Sequence, residues 1–443
     1  MLLVYIIVGI CIFFQAERGI LDTHSYLRLF RSMKNKPSKV VPQINRKQVL
    51  YILIPVLREQ TIIEETALRF LKLKNSFFSI QLIIITTIRE QKESSDKSTT
   101  GEVIKDSLEF GILSKFKKSV SILRDPNKNG NMATQLNYAI QYLKKNSSDQ
   151  NIYIVYNADS IISPMTFMEL SRLTKKEPSE FAFQQPCAYV SEMKPGAPNF
   201  LNALSLYQSW YCLGHESDLI LKYEKIKNLG VMVGHGSGMT INMNIKNGGY
   251  PEKLLTEDLT FGFILSARKE PIFLLPALEL ADVPDKFSVF IRQKSIWFWN
   301  YLSYISCYKK MRAEGHTTLQ LLPIFLEGIG AGIYWFSSAL FVLVPLSLSL
   351  ATGVYWLAFI SLIATTLFCL FPQYILFRKL PDILEHQGFQ QNAQNIKKIS
   401  FLKILPSLCL IIITDSLGPW IATYRYFIYC FSGKLPMKYK TGD

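Results

Sequence analysis

Two stretches near the C-terminus, Leu319 to Phe377 and Leu402 to Phe431, are nearly free of charge. About twenty apolar residues suffice to cross a bilayer as a helix. The first stretch holds enough for two spans, with a break near Ala351 to Gly353, and Glu327 inside it places part of it at an interface. The second is interrupted by Pro406, Asp415, Gly418-Pro419 and Arg425. Arg378 to Ser400, before it, reads as a polar loop containing Lys397 and Lys398, and Lys434, Lys438 and Lys440 follow it. Basic residues favour the cytoplasmic side, so this block reads as a re-entrant segment or short hairpin. Charged residues are only 19% of the chain, against a soluble norm of about 25%. That deficit is confined to these stretches. The middle of the chain therefore reads as a soluble domain attached to a membrane region.

The N-terminal run Met1 to Phe14 is short for a span, and no basic residue precedes it. It does not read as a secretory signal. It reads as a short, tilted or interfacial anchor, or as the remnant of a longer helix. Arg28, Arg31, Lys34, Lys36 and Lys39 follow in a basic segment suited to the cytoplasmic side. The net charge of +15 has a membrane explanation, and no basic stripe with interleaved aromatics points to nucleic acid. The seven cysteines form no CxxC pair, which is reduced, cytosol-facing usage.

Ile152 to Pro164, IYIVYNADSIISP, organises the middle of the chain. Its β-forming run carries short polar residues at its C-terminal end, where ligands bind in open α/β sheets. Asp159 there could hold a divalent cation; an Asx-turn is the plain alternative. Val49 to Pro55, Ile80 to Ile85 and Val120 to Leu123 read as further strands. Gln60 to Lys72 and Met132 to Leu143 read as helices between them, and Glu90 to Gly101 as a loop. This is the pattern of a mostly parallel sheet with helices on both faces. The Gly turn before Met132 suits a phosphate or simply caps a helix. Val231 to Gly238, VMVGHGSG, lets backbone approach a ligand or makes a tight turn. His235 has no partner at metal-ligand spacing and reads as structural or as an incidental lining residue. Thr256 reads as an N-cap, with Glu257 and Asp258 in the first helical turn. Asp285 to Met311 mixes aromatic and basic residues, as an interfacial amphipathic helix does, with a buried soluble helix as the alternative.

The order NADS, GHGSG, GGY, TED, interfacial helix, apolar spans resembles the membrane-bound family 2 glycosyltransferases. These have the GT-A fold and include cellulose, chitin and hyaluronan synthases. The resemblance covers roughly Val49 to Trp297. It implies a GT-A-like domain over residues 48–285, behind an anchor (1–16) and a basic linker (17–47). An interfacial helix (286–318), a transmembrane region (319–432) and a basic cytoplasmic tail (433–443) follow. It further implies Mg²⁺ or Mn²⁺, a nucleotide-sugar donor with UDP-sugars first, and a lipid-linked or polysaccharide acceptor.

The resemblance also carries roles. The D-x-D motif falls on Asn157-Ala158-Asp159, with Asp159 on the metal and Asn157 replacing one carboxylate. Asp258 matches the catalytic base, beside Glu257. Gly236, Ser237 and Gly238 match the part bordering the acceptor, and Pro55 and Glu59 the first nucleotide-binding loop. Thr86 stands where an aspartate often holds the base. Asn131 replaces the lysine of a motif that ends on Asn137. Gln293 and Trp297 match Q-x-x-R-W, with Ile296 in the arginine position. The expected activity is inverting sugar transfer at the cell membrane from a cytoplasmic active site. So few spans would need a homo-oligomer or a synthase complex to make a channel. The departures leave a second reading, a non-catalytic scaffold of a synthase complex. A transporter is a poor third, because the spans show no internal repeat.

Overall fold

The computed structural model describes residues 1–34, 48–73, 76–93, 98–148, 151–177 and 179–433. In chain order the strands are β1 (Val49–Pro55), β2 (Ser79–Thr87), β3 (Val120–Asp125), β4 (Ile152–Val155), β5 (Ile161–Ile162), β6 (Ala182–Gln184), β7 (Cys187–Ala188), β8 (Ser237–Thr240), β9 (Ile272–Leu274) and β10 (Glu279–Leu280). Seven form one sheet in the order β3-β2-β1-β4-β8-β6-β9, and β5-β10-β7 form a small second sheet. Pairing is parallel from β3 through β4 and antiparallel from β4 to β8 and from β8 to β6. The expected mostly parallel α/β sheet is present.

Both faces of the large sheet are buried, so its strands are apolar runs rather than alternating ones. Leu53, Ile83, Ile85, Tyr153 and Val155 face one core. Leu50, Ile52, Ile54, Leu82, Ile84, Ile152 and Ile154 face the other. The helix Met132–Asn146 covers the first with Ala133, Leu136, Ala139, Ile140 and Leu143. The helix Ile63–Lys72 covers the second with Ile63, Ala67 and Phe70. Each fully buried aliphatic side chain contributes roughly 1.5–3 kcal/mol. A one-residue slip would invert a whole strand, so register is strongly held.

Four segments are long and apolar enough to cross a membrane: Leu2–Lys34, Thr318–Ala351, Tyr355–His386 and Phe401–Ser432. The N-terminal helix runs unbroken from Leu2 to Lys34, past the expected boundary at residue 16, because residues 17–34 keep an apolar face on the core around Tyr26, Leu29, Phe30 and Met33. The rest of the linker, residues 35–47, and the tail from residue 434 lie outside the described residues. The break after Ala351 is present at Gly353, with φ of +74°. Glu327 does leave the apolar environment, since its carboxylate accepts the Leu229 N–H at 3.2 Å.

Three expectations change. The aromatic-basic helix, Phe287–Ala313, is not one-sided. Val289, Lys294, Phe298, Trp299, Tyr301, Tyr304 and Met311 are all buried, because the helix lies between the sheet domain and the apolar helices. The polar stretch after Phe377 is helical to His386 and again over Gln390–Lys397. It docks on the domain, where Gln387 accepts from Ser163 and Leu278. Part of the expected loop between Glu90 and Gly101 is helical, from Ile88 to Glu93 and again from Thr100.

Candidate active site

Asn157 to Ser160 form a turn at the C-terminal end of β4. Ser160 N–H donates to the Asn157 carbonyl at 3.2 Å, and Asn157 N–H to the Ser160 hydroxyl at 3.1 Å. Thr66 pins the turn by donating to the Ala158 carbonyl. Asp159 is half-buried, and its Oδ2 accepts the Asp282 N–H at 3.4 Å. Partial burial, then the charges of Asp159 and Glu192, push the Asp282 carboxyl up to about 6. Asp282 was not anticipated: it lies 123 positions from Asp159 and outside every motif.

Asp258 lies in the first turn of the helix Glu257–Ala267, where its Oδ1 accepts the Leu259 N–H at 2.8 Å. Thr256 is at the N-cap position, but its hydroxyl makes no capping bond. Oδ2 of Asp258 lies against Gly234: a Cβ built there would meet it at 2.9 Å. Glu257 is 2% exposed; burial pushes the Tyr250 hydroxyl up, and the charges of Asp258 and Glu257 add to the rise. Glu216, on a π-helical turn from Cys212, is also near. Burial raises its carboxyl, His235 and Lys294 oppose the rise, and Asp258 adds to it. Such turns are frequent at functional sites; no composition cue marks this one.

The loop before β8 carries Gly234, which lies against Asp258, and His235, whose ring feels the charge of Asp159. Gly234 is half-buried, while Gly236, Ser237 and Gly238 are buried. Gly238 packs in the sheet, where a Cβ would lie 2.4 Å from the Phe183 ring. Those three residues, expected at the acceptor, are buried, and Gly234 is the one that lies against Asp258. Burial opposes charge on His235, but Glu279 more than offsets this, and Asp159 and Glu216 add to it, so the ring is pushed up to about 9.

The remaining expected residues divide into two groups. Pro55 ends β1 beside Ile85. The Glu59 N–H donates to the Thr100 hydroxyl at 2.9 Å, and both Thr100 and Arg58 donate to the Glu90 carboxylate. Thr86 is buried and its hydroxyl donates to the Leu123 carbonyl. Asn131 and Asn137, expected at the nucleotide, tie loops together. Asn131 accepts from Thr134 and donates to the Glu252 carbonyl. Asn137 clasps Tyr250 through both its N–H and its carbonyl. Gln135, not anticipated, bridges the ends of β1 and β2 by donating to the Val56 and Ile85 carbonyls.

Gln293 buries an Oε1 that has no hydrogen-bond partner among the described residues. Trp297 is half-buried, with the Lys294 ammonium 4.8 Å from its ring. Lys294 also faces Tyr207, Tyr211, Phe290 and Trp335, and lies 3.9 Å from Asp415. A buried cation thus stands two residues before the uncharged Ile296.

Residues 153–376 match the family model described as glycosyl transferase family group 2. No curated protein matches the chain. Among solved structures, the mannosyltransferase PcManGT from Pyrobaculum calidifontis, in complex with GDP-Man and Mn²⁺, is 14% identical with a TM-score of 0.45; the match covers 91% of this chain and 99% of that one. Residues 1–349 of TarS from S. aureus are 12% identical with a TM-score of 0.36, covering 79% and 90%. The family match spans half of the chain and runs from β4 through Asp258 into the apolar helices: this protein belongs to the family 2 glycosyltransferases.

Proposed function

We propose that this glycosyltransferase is inverting and dependent on a divalent cation. It works at a membrane surface and moves a sugar from a nucleotide-diphosphate donor to a lipid-linked or growing glycan acceptor, in surface polysaccharide or glycolipid assembly. The observation that carries this reading is that Asp159 and Asp258 both act on one short loop. Asp258 lies against Gly234, and Asp159 acts on the neighbouring His235.

Asp159 is the proposed metal ligand, with Asn157 on the same turn and Asp282 beside it. Carboxylate and amide oxygens suit Mg²⁺ or Mn²⁺. The cation supplies charge neutralisation at the leaving diphosphate when bound. Asp258 takes the proton of the acceptor hydroxyl as its oxygen attacks the anomeric carbon. The new C–O bond forms as the bond to the diphosphate breaks, and one displacement inverts the centre. Gln293, Trp297 and Glu257 are proposed to border the acceptor. The catalytic domain is proposed to be cytoplasmic: all seven cysteines are free, and Arg28, Arg31 and Lys34 lie at the domain end of the first helix.

The test is nucleoside diphosphate release by the detergent-purified protein with Mn²⁺ and a panel of nucleotide sugars, UDP-sugars first. Asp258→Asn is expected to lower turnover by about 10² to 10⁴-fold without unfolding the protein. Wild-type turnover in that variant would remove Asp258 from the base role. Release that is indifferent to chelator, or unchanged in Asp159→Asn, would remove the cation.

A further inference from the structure

Three groups meet at the loop that carries Gly234 and His235. Cys187 on β7 and Glu279 on β10 are register partners across a parallel strand pair. His235 enters from the loop before β8. One ligand atom from each lies within 4.8 Å of the other two, and the residues are 5%, 0% and 7% exposed respectively. His235 Nδ1 is 3.1 Å from Glu279 Oε1. Glu279 Oε2 is buried with no hydrogen-bond partner among the described residues. Gly236 leaves room for it, because a Cβ there would lie 2.5 Å from that oxygen.

We propose that Cys187, His235 and Glu279 form a structural site for a borderline-soft divalent cation, Zn²⁺ foremost. It is separate from the oxygen-lined position at Asp159. Thiolate with imidazole selects zinc over magnesium or manganese. Bond lengths of about 2.0–2.3 Å place tetrahedral ligand atoms roughly 3.3–3.7 Å apart, so small side-chain rotations close the set. Two outer contacts already orient it. The Tyr189 hydroxyl is 3.1 Å from His235 Nε2, and the Ser160 hydroxyl donates to Glu279 Oε1 at 2.5 Å. Zinc-bound histidines are held through the other ring nitrogen in this way. Binding displaces the thiol proton and the Nδ1 proton to solvent and changes no oxidation state. The cation would staple the small sheet to the loop that carries Gly234 and so fix the spacing of the two aspartates. The site does not depend on the transferase mechanism.

The experiment uses the full-length protein in detergent. Elemental analysis after dialysis against a weak chelator is expected to give one zinc per chain. Replacement with Co²⁺ is expected to give a thiolate-to-cobalt charge-transfer band in the near ultraviolet. Asp159→Asn should keep both signals, whereas Cys187→Ser should lose the band. Absence of stoichiometric zinc and of the band in the wild type would leave only a His235–Glu279 ion pair and overturn the proposal. Persistence of the band in Cys187→Ser would overturn it equally. Should Cys187→Ser fail to fold, X-ray absorption on the wild-type zinc decides: one sulfur neighbour supports the site, and oxygens alone sink it. Since Asp159→Asn is expected to abolish donor chemistry and to spare this metal, the two readings fail separately.

Discussion

Gly234 has no side chain, and the carboxylate of Asp258 uses the space. In Gly234→Ala the new methyl must push that carboxylate aside. Displacing a catalytic group by about 1 Å can cost about a hundredfold in rate. Turnover is therefore expected to fall ten- to a hundredfold with the melting temperature little changed, and full activity would show that Asp258 has slack. Asp282 offers a second test at this scale. A carboxyl whose value rises on folding, here from 3.8 to about 6, weakens the fold wherever it is ionised. That penalty is absent below the lower value and complete above the higher one. In chelator, Asp282→Asn should raise the melting temperature at about pH 8 and lose that gain as pH falls through 6 towards 4. A gain that persists at pH 4 would exclude repulsion from Asp159 as its cause. Asp159 and Asp258 were candidates from the sequence because each follows a local signal, a strand end or a helix start, and both signals are present in the fold. Asp282, Glu216 and the Cys187–His235–Glu279 set were not. Their chemistry exists only where segments distant in sequence meet, and no spacing rule can read that.

The helix Phe287–Ala313 joins the two halves of the protein, and its aromatic-basic composition concealed how it does so. A lysine beside aromatics reads as a snorkelling residue at a headgroup layer. Lys294 instead is 1% exposed and paired with Asp415, where Gly418 brings the last helix so close that a Cβ would meet Lys294 Cβ at 2.5 Å. Removing one partner of a buried pair leaves an uncompensated charge and typically costs about 3–5 kcal/mol. Lys294→Met is thus expected to destabilise the protein strongly in detergent. Lys294→Met with Asp415→Leu should recover most of the loss, because two apolar side chains leave no orphan charge. Thermal unfolding of the two single variants and the double checks this, and additive losses would mean that the residues act separately. The segment after His386 went unread as a helix for the opposite reason. Gln390, Gln391, Asn392 and Asn395 are polar and poor in apolar period, yet Ala393 and Ile396 suffice to hold a short helix once the domain surface is there.

At the scale of the whole molecule, the path of the last segment decides where the chain ends. Phe401–Ser432 has the length and composition of one span, but a turn at Asp415–Ser416 divides it. At the turn, the Ser416 hydroxyl meets the backbone of Trp335 and Ala339, midway along the helix Thr318–Ala351. Beyond it, Gly418 faces Lys294 while Tyr426 and Tyr429 face Trp299, so the last helix runs parallel to Phe287–Ala313. That helix runs antiparallel to the next one: Phe298 meets Trp335, Tyr304 meets Gly328 and Tyr308 meets Phe325. The last helix therefore returns towards the domain, as the basic residues flanking the block imply. The expected topology is three full crossings and one re-entrant bend, with the N-terminus opposite the sheet domain and the C-terminus on its side. Four straight crossings would put both termini opposite it. Epitope tags at each end, probed by protease in sealed inside-out vesicles, should give an accessible C-terminal tag and a protected N-terminal one. Protection of both would mean that the bend at Ser416 is only a kink in a fourth span.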